Sequence, residues 1–146
     1  MSVAKALIAL TLTASAGVAG ADDEALVKYR KNTMEIIGGH MGAMVAIVKG
    51  EVPYSDDLAF HAQGLAAVAP RALVTFETQA MNDDSHALDK IWADWGKFEQ
   101  AMENLEQTSA TLATAVADGN RGAIGAALGE VGESCKGCHD DFTKDH

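Results

Sequence analysis

Cys135, Cys138 and His139, in the run Cys135-Lys136-Gly137-Cys138-His139, are the residues of this 146-residue chain best suited to do chemistry. The spacing C-x-x-C-H is that of a c-type haem attachment site. The two thiols add across the haem vinyl groups as thioethers, and the adjoining imidazole supplies an axial ligand to the iron. A structural zinc site needs three or four Cys/His ligands. The chain has only these two cysteines, and His40, His61, His86 and His146 form no second knuckle. A thioredoxin-like redox pair belongs in a βαβ context that the sequence lacks. A haem-free exported helical bundle with a CxxC disulfide is the remaining alternative, and it leaves His139 unexplained.

The elements that must position these residues read as helices. Apolar residues recur at intervals of three and four, with only Pro53 and Pro70 as breakers. A first helix is expected from Asp23 or Glu24 to Lys49-Gly50, with Val27, Arg30, Met34, Ile37, Met41, Met44 and Val48 facing inward. Ser55 is expected to cap a second helix that runs toward Ala69 and breaks or kinks at Pro70. Residues 77–87 are polar and read as the longest loop. Asp89 opens a third helix with Ile91, Trp95, Phe98, Met102, Leu105, Leu112 and Val116 on one face, ended by Asp118-Gly119-Asn120. The fourth carries Ile124, Leu128, Val131, Cys135, Cys138 and Phe142 on one stripe. The pattern predicts an all-α protein, an antiparallel four-helix bundle with haem c held near the C-terminal end of helix four. Trp92, Trp95 and Phe98 read as core or haem-edge packing.

In an up-down-up-down bundle His139 lies level with the first turns of helix one, so residues 29–36 face the haem. Met34 falls there on the inward stripe, whereas Met41 and Met44 lie too far along. His40 is off the stripe and reads as surface or satisfied. Arg30 is a cation on an inward stripe, and a buried charge needs a partner. A haem propionate is the expected one, with Arg30 snorkelling to the bundle end as the alternative. Lys31 adds charge at the same rim.

Lys5, the apolar residues 6–18 and the A-x-A run Ala19-Gly20-Ala21 read as a secretory signal peptide over residues 1–21. The haem domain is then 22–146, exported, soluble and periplasmic, with no membrane span. Without Lys5 the mature chain has 10 basic and 21 acidic residues, a net charge of −11. Nucleic acid and anionic membranes are poor partners for it, and a redox partner protein would present a basic face. Ile36, Ala43, Ile47 and Leu58 could form a homodimer patch. No nucleophile–base constellation stands out, so no enzymatic role is expected.

A haem motif at the extreme C-terminus of a four-helix chain resembles the class II cytochromes c, the cytochromes c′ and their low-spin relatives. The resemblance covers nearly all of the mature chain. It rests on Lys28-Tyr29-Arg30-Lys31 with Met34, Lys49-Gly50-Glu51 with Pro53-Tyr54, Ile91-Trp92, and residues 131–142 around the motif. It implies a periplasmic monohaem protein, often a homodimer. Cys135 and Cys138 would be the thioether sites, His139 the proximal iron ligand, and Arg30 a propionate neighbour. Met34 would occupy the distal position. In the low-spin members a methionine there is the sixth ligand of an electron carrier. In the cytochromes c′ it is a non-coordinating lid over five-coordinate, high-spin iron that binds NO and CO. The resemblance departs at Thr143, where many members have a basic residue that shapes the proximal pocket. Electron transfer with His139/Met34 ligation is the first expectation, and NO/CO binding the alternative.

Overall fold

A computed structural model describes residues 22–144. The signal-peptide reading of residues 1–21 and the terminal His146 lie outside them. Helix α1 spans Asp23–Val48. It starts where the sequence places it, with the Asp22 carboxylate accepting from the Ala25 N–H, 2.8 Å. It stops in a Schellman turn: the Glu51 N–H donates to Ala46 O and the Gly50 N–H to Ile47 O, with Gly50 at φ +73°. Helix α2 is Leu58–Ala72, α3 Lys90–Ala93, α4 Trp95–Ala117 and α5 Arg121–Phe142. The α4–α5 turn uses Gly119 at φ +69°, and the Asn120 side chain accepts from Ala123 N–H to start α5.

Three expectations are corrected. Ser55 does not cap α2: it lies in a 3₁₀ turn, Ser55–Asp57, and α2 begins without a side-chain cap. Pro70 does not break α2, which runs to Ala72 and continues as a 3₁₀ turn, Leu73–Phe76. The missing Pro70 N–H falls on an exposed position, where water can serve the freed carbonyl. The expected third helix is in two pieces, because Asp94 (φ −131°, ψ 53°) leaves helical geometry between α3 and α4.

The four long helices form an antiparallel four-helix bundle, with α3 a short forerunner of α4. Helix α1 packs on α2, α2 on α4 and α4 on α5. The core holds Ile37 and Met44 from α1, Leu65 and Ala69 from α2, Phe98, Met102 and Leu112 from α4, and Leu128, Val131 and Phe142 from α5. The inward stripes are met except at Val48, which is exposed. Of the suggested dimer patch, Ile36 is exposed, whereas Ala43, Ile47 and Leu58 are half-buried and Leu58 packs on the core.

Leu112 is fully buried in the core between the helices. Leu112→Ala is expected to cost about 2–5 kcal/mol in chemical denaturation of the holoprotein, with the visible spectrum unchanged.

Candidate haem-binding site

Helices α1 and α5 do not close on each other as the other neighbours do. A cavity of about 530 Å³ lies between them, floored by α4 and flanked by residues 85–87. From α5 it is lined by Ser134, Cys135, Cys138, His139 and Phe142, and from α1 by Val27, Arg30, Lys31, Met34, Ile37 and Met41. All six residues expected at the site therefore share one wall system.

The cysteines reach it because Val131, Cys135, Cys138 and Phe142 continue one stripe of α5, spaced by four, three and four. Val131 and Phe142 are buried, and both cysteines are half-buried and free of any disulfide. Burial pushes the Cys138 thiol up to about 11, with Cys135 and Asp141 adding to the effect, and burial raises Cys135 as well. No cluster of three metal-ligating side chains that could form a zinc site occurs among the described residues. Two thiols and the next imidazole opening on one apolar cavity are what a covalently tethered haem requires. On the outer face of α5, Lys136 pairs with Asp140, and Asp141 with Lys90 (3.0 Å) and Lys97 (2.7 Å).

Arg30 is only 3% exposed and does not snorkel. Its Nε donates to Thr75 O (3.1 Å), Nη1 to Ala80 O (3.0 Å) and Nη2 to Thr78 O (3.2 Å). The guanidinium also lies 4.5 Å from the Phe76 ring centre and 5.3 Å from Trp92. The partner that the buried cation needs is thus found first in backbone carbonyls of the 75–80 segment. Burial pulls its pKa down, opposed by Asp23, but a guanidinium stays charged.

Sequence reading missed the other side of the cavity. Residues 85–88 pair with the C-terminal end of α5: Leu88 N–H donates to Phe142 O (3.0 Å), Lys144 N–H to His86 O (2.9 Å), and Ala87 bridges Thr143. Ser85, His86 and Ala87 consequently line the cavity, and only the polarity of this loop was visible in the sequence. Of the aromatic trio, Phe98 lines the cavity, whereas Trp92 donates through Nε1 to Phe76 O (2.7 Å) and Trp95 packs against Phe98. His40 is satisfied, as expected, by a partner not foreseen: its Nδ1 lies 3.1 Å from His61 Nδ1.

The fold and this site together define a four-helix c-type haem protein. Residues 25–143 match the family model described as Cytochrome C', and the chain belongs to that family; it carries one covalently attached haem c. It is 40% identical over 129 residues to a cytochrome c′ of Halomonas halodenitrificans, covering 84% of this chain and 98% of the relative. Cytochrome c prime from Shewanella frigidimarina superposes with a TM-score of 0.80 at 30% identity, covering 85% of this chain and 98% of the other. The nitric oxide complex of a cytochrome c prime variant from Alcaligenes xylosoxidans gives 0.79 at 29% identity, covering 86% and 98%. These relatives lend no support to the His139/Met34 electron carrier expected first, and the gas-binding alternative fits them better. No helix of the described residues is long and apolar enough to cross a membrane.

Replacing Arg30 by Met strands three carbonyls of the 75–80 segment. Arg30→Met should cost about 2–5 kcal/mol and raise amide hydrogen exchange around residues 75–80 more than elsewhere. Uniform exchange across the chain would refute this role of Arg30.

Proposed function

We propose that the protein binds a diatomic gas, NO or CO, at a five-coordinate haem in the periplasm. The observation that carries this reading is Met34, a half-buried apolar side chain in the α1 wall of the cavity whose opposite wall holds His139. Cys135 and Cys138 are assigned the thioether bonds and His139 the proximal bond. The haem supplies an iron that can take a further small ligand. Helix α5 keeps the tether and the imidazole on one rigid element. Met34, Ile37 and Met41 present an apolar α1 surface, with Glu35 beside it, suited to a small neutral ligand. Arg30 and Lys31 place positive charge on the cavity wall, suited to the propionates. Two of the five Arg30 N–H donors remain after the three carbonyl bonds are made.

The nitric oxide complex among the structural neighbours favours this role over plain electron carriage. Its function is ligand binding rather than turnover. The A-x-A leader supports export, and the acidic chain suits a reductant that presents a basic face.

Visible spectra of the oxidised and reduced holoprotein, then with CO, test the reading. Broad high-spin bands that sharpen on adding CO are expected, with faster CO association in Met34→Ala and unchanged bands before CO. Sharp low-spin bands indifferent to CO in the native protein, lost in Met34→Ala, would replace it by His139/Met34 electron transfer.

A further inference from the structure

We propose that His40 and His61 form an acid-releasable clasp between α1 and α2, away from the haem cavity. Their Nδ1 atoms are 3.1 Å apart, their ring centres 5.3 Å apart and their planes 65° apart. That centre-to-centre distance is reached when the rings meet nitrogen to nitrogen. The two Nδ1 positions therefore point at each other, one as N–H donor and the other as acceptor, instead of converging on a third point. The contact is an N–H···N hydrogen bond, not the bite of a metal chelate. Neither histidine lines the cavity, so the clasp stands apart from the gas-binding reading.

The sequence builds the contact deliberately. A Cβ on Gly64, one turn after His61, would sit 2.4 Å from His40 Cε1 and 2.6 Å from its Nε2. Only glycine leaves room for the His40 ring to lie on α2. Phe60 meets both rings edge-on, at 6.0 Å from His40 and 5.1 Å from His61. Both imidazoles are half-buried, so protons from solvent can reach them.

The proton balance makes the clasp sensitive to acid. In the neutral pair one ring donates its Nδ1–H and the other accepts at Nδ1. A first proton can enter at the donor's Nε2 and leaves the bond intact. A second must occupy the accepting Nδ1 itself, which breaks the bond and sets two cations side by side. Few charges nearby soften this. One turn from His40 on α1 lie Ile36, Ile37, Ala43 and Met44. One turn from His61 lie Leu58, Gly64 and Leu65 on α2 and Asp57 in the 3₁₀ turn before it, so Asp57 is the one charged neighbour at that spacing. Burial lowers the His40 pKa, and the nearby His61 lowers it further.

A depressed folded-state value means that the unfolded chain takes up protons first as the pH falls. Stability present above the ordinary histidine value is therefore lost progressively below it. Helix α1 also carries Met34 and the cavity wall, so release of the clasp loosens the helix over the haem.

Histidine Cε1–H signals of the holoprotein, followed by NMR from about pH 8 to about pH 4 across the ordinary histidine range, test the clasp. A His40 signal that titrates below that range and senses the His61 ring is expected. Gly64→Ala should push the His40 ring out and turn this into two independent titrations. Thermal melting should also lose less Tm between about pH 7.5 and about pH 4.5 in Gly64→Ala and His61→Phe than in the native protein. Haem absorption recorded in parallel separates events at the iron. Independent titration of both rings in the native protein, or an equal loss of Tm in all three, would overturn the proposal.

Discussion

The bundle depends on a gap. Three of its four sides close by direct helix packing, and the fourth, between α1 and α5, closes across the haem cavity. Side chains that would interdigitate in an ordinary bundle here form two facing walls, with Val27, Met34, Ile37 and Met41 on one and Cys135, Cys138 and Phe142 on the other. The apolar area of the porphyrin takes the place of missing core, which accounts for a chain with only 5% aromatic residues. Thioether attachment to a core-facing stripe makes that part of the core permanent. The two cysteines share their stripe of α5 with Val131 and Phe142, which pack the helix into the core.

A cavity between two helices has open flanks, and here backbone hydrogen bonds close them. On one flank the Arg30 side chain leaves α1 and fastens the 75–80 carbonyls, while Trp92 fastens Phe76 O. On the other, residues 85–88 are paired with the end of α5. A polar segment of thirteen residues between the 3₁₀ turn and α3 therefore has fixed positions without a helix of its own. Buried backbone groups in a loop must find partners, and here they find them in Arg30, Trp92 and residues 142–144. That use of Arg30 leaves a cation in the cavity wall whose carbonyl partners are all neutral. Such a wall favours an anionic occupant at its edge.

How legible this was depended on whether the signal was local. Helical period, the Gly50 and Gly119 stops and the stripe carrying both cysteines are short-range patterns, and they located the helices and the side of α5 that lines the cavity. The level of Met34 followed from antiparallel topology alone. What escaped was set by contacts distant in sequence. Arg30 meets carbonyls 45 to 50 residues away, and the His40–His61 bond spans 21. Local rules also misled where tertiary packing outweighed them: Pro70 sits on an exposed turn that tolerates a lost N–H, and Asp94 interrupts a stripe whose apolar residues stay inward on both sides of the break.

The Thr143 departure from the family pattern has a physical reading in the same terms. Thr143 leaves the helix with φ −120° and ψ 143° and forms the antiparallel bridge to Ala87. A β-branched residue suits that extended geometry. The basic side chain sits one residue later, and Lys144 Nζ donates to Ser85 O at 2.7 Å. The cation that could have shaped the proximal side of the pocket instead anchors the loop beyond it. Thr143 itself lines the cavity near His139 as a small, uncharged group. This wall of the cavity is therefore held by pairing backbone to backbone, and Ser134, His139 and the 85–87 segment give it its polar groups.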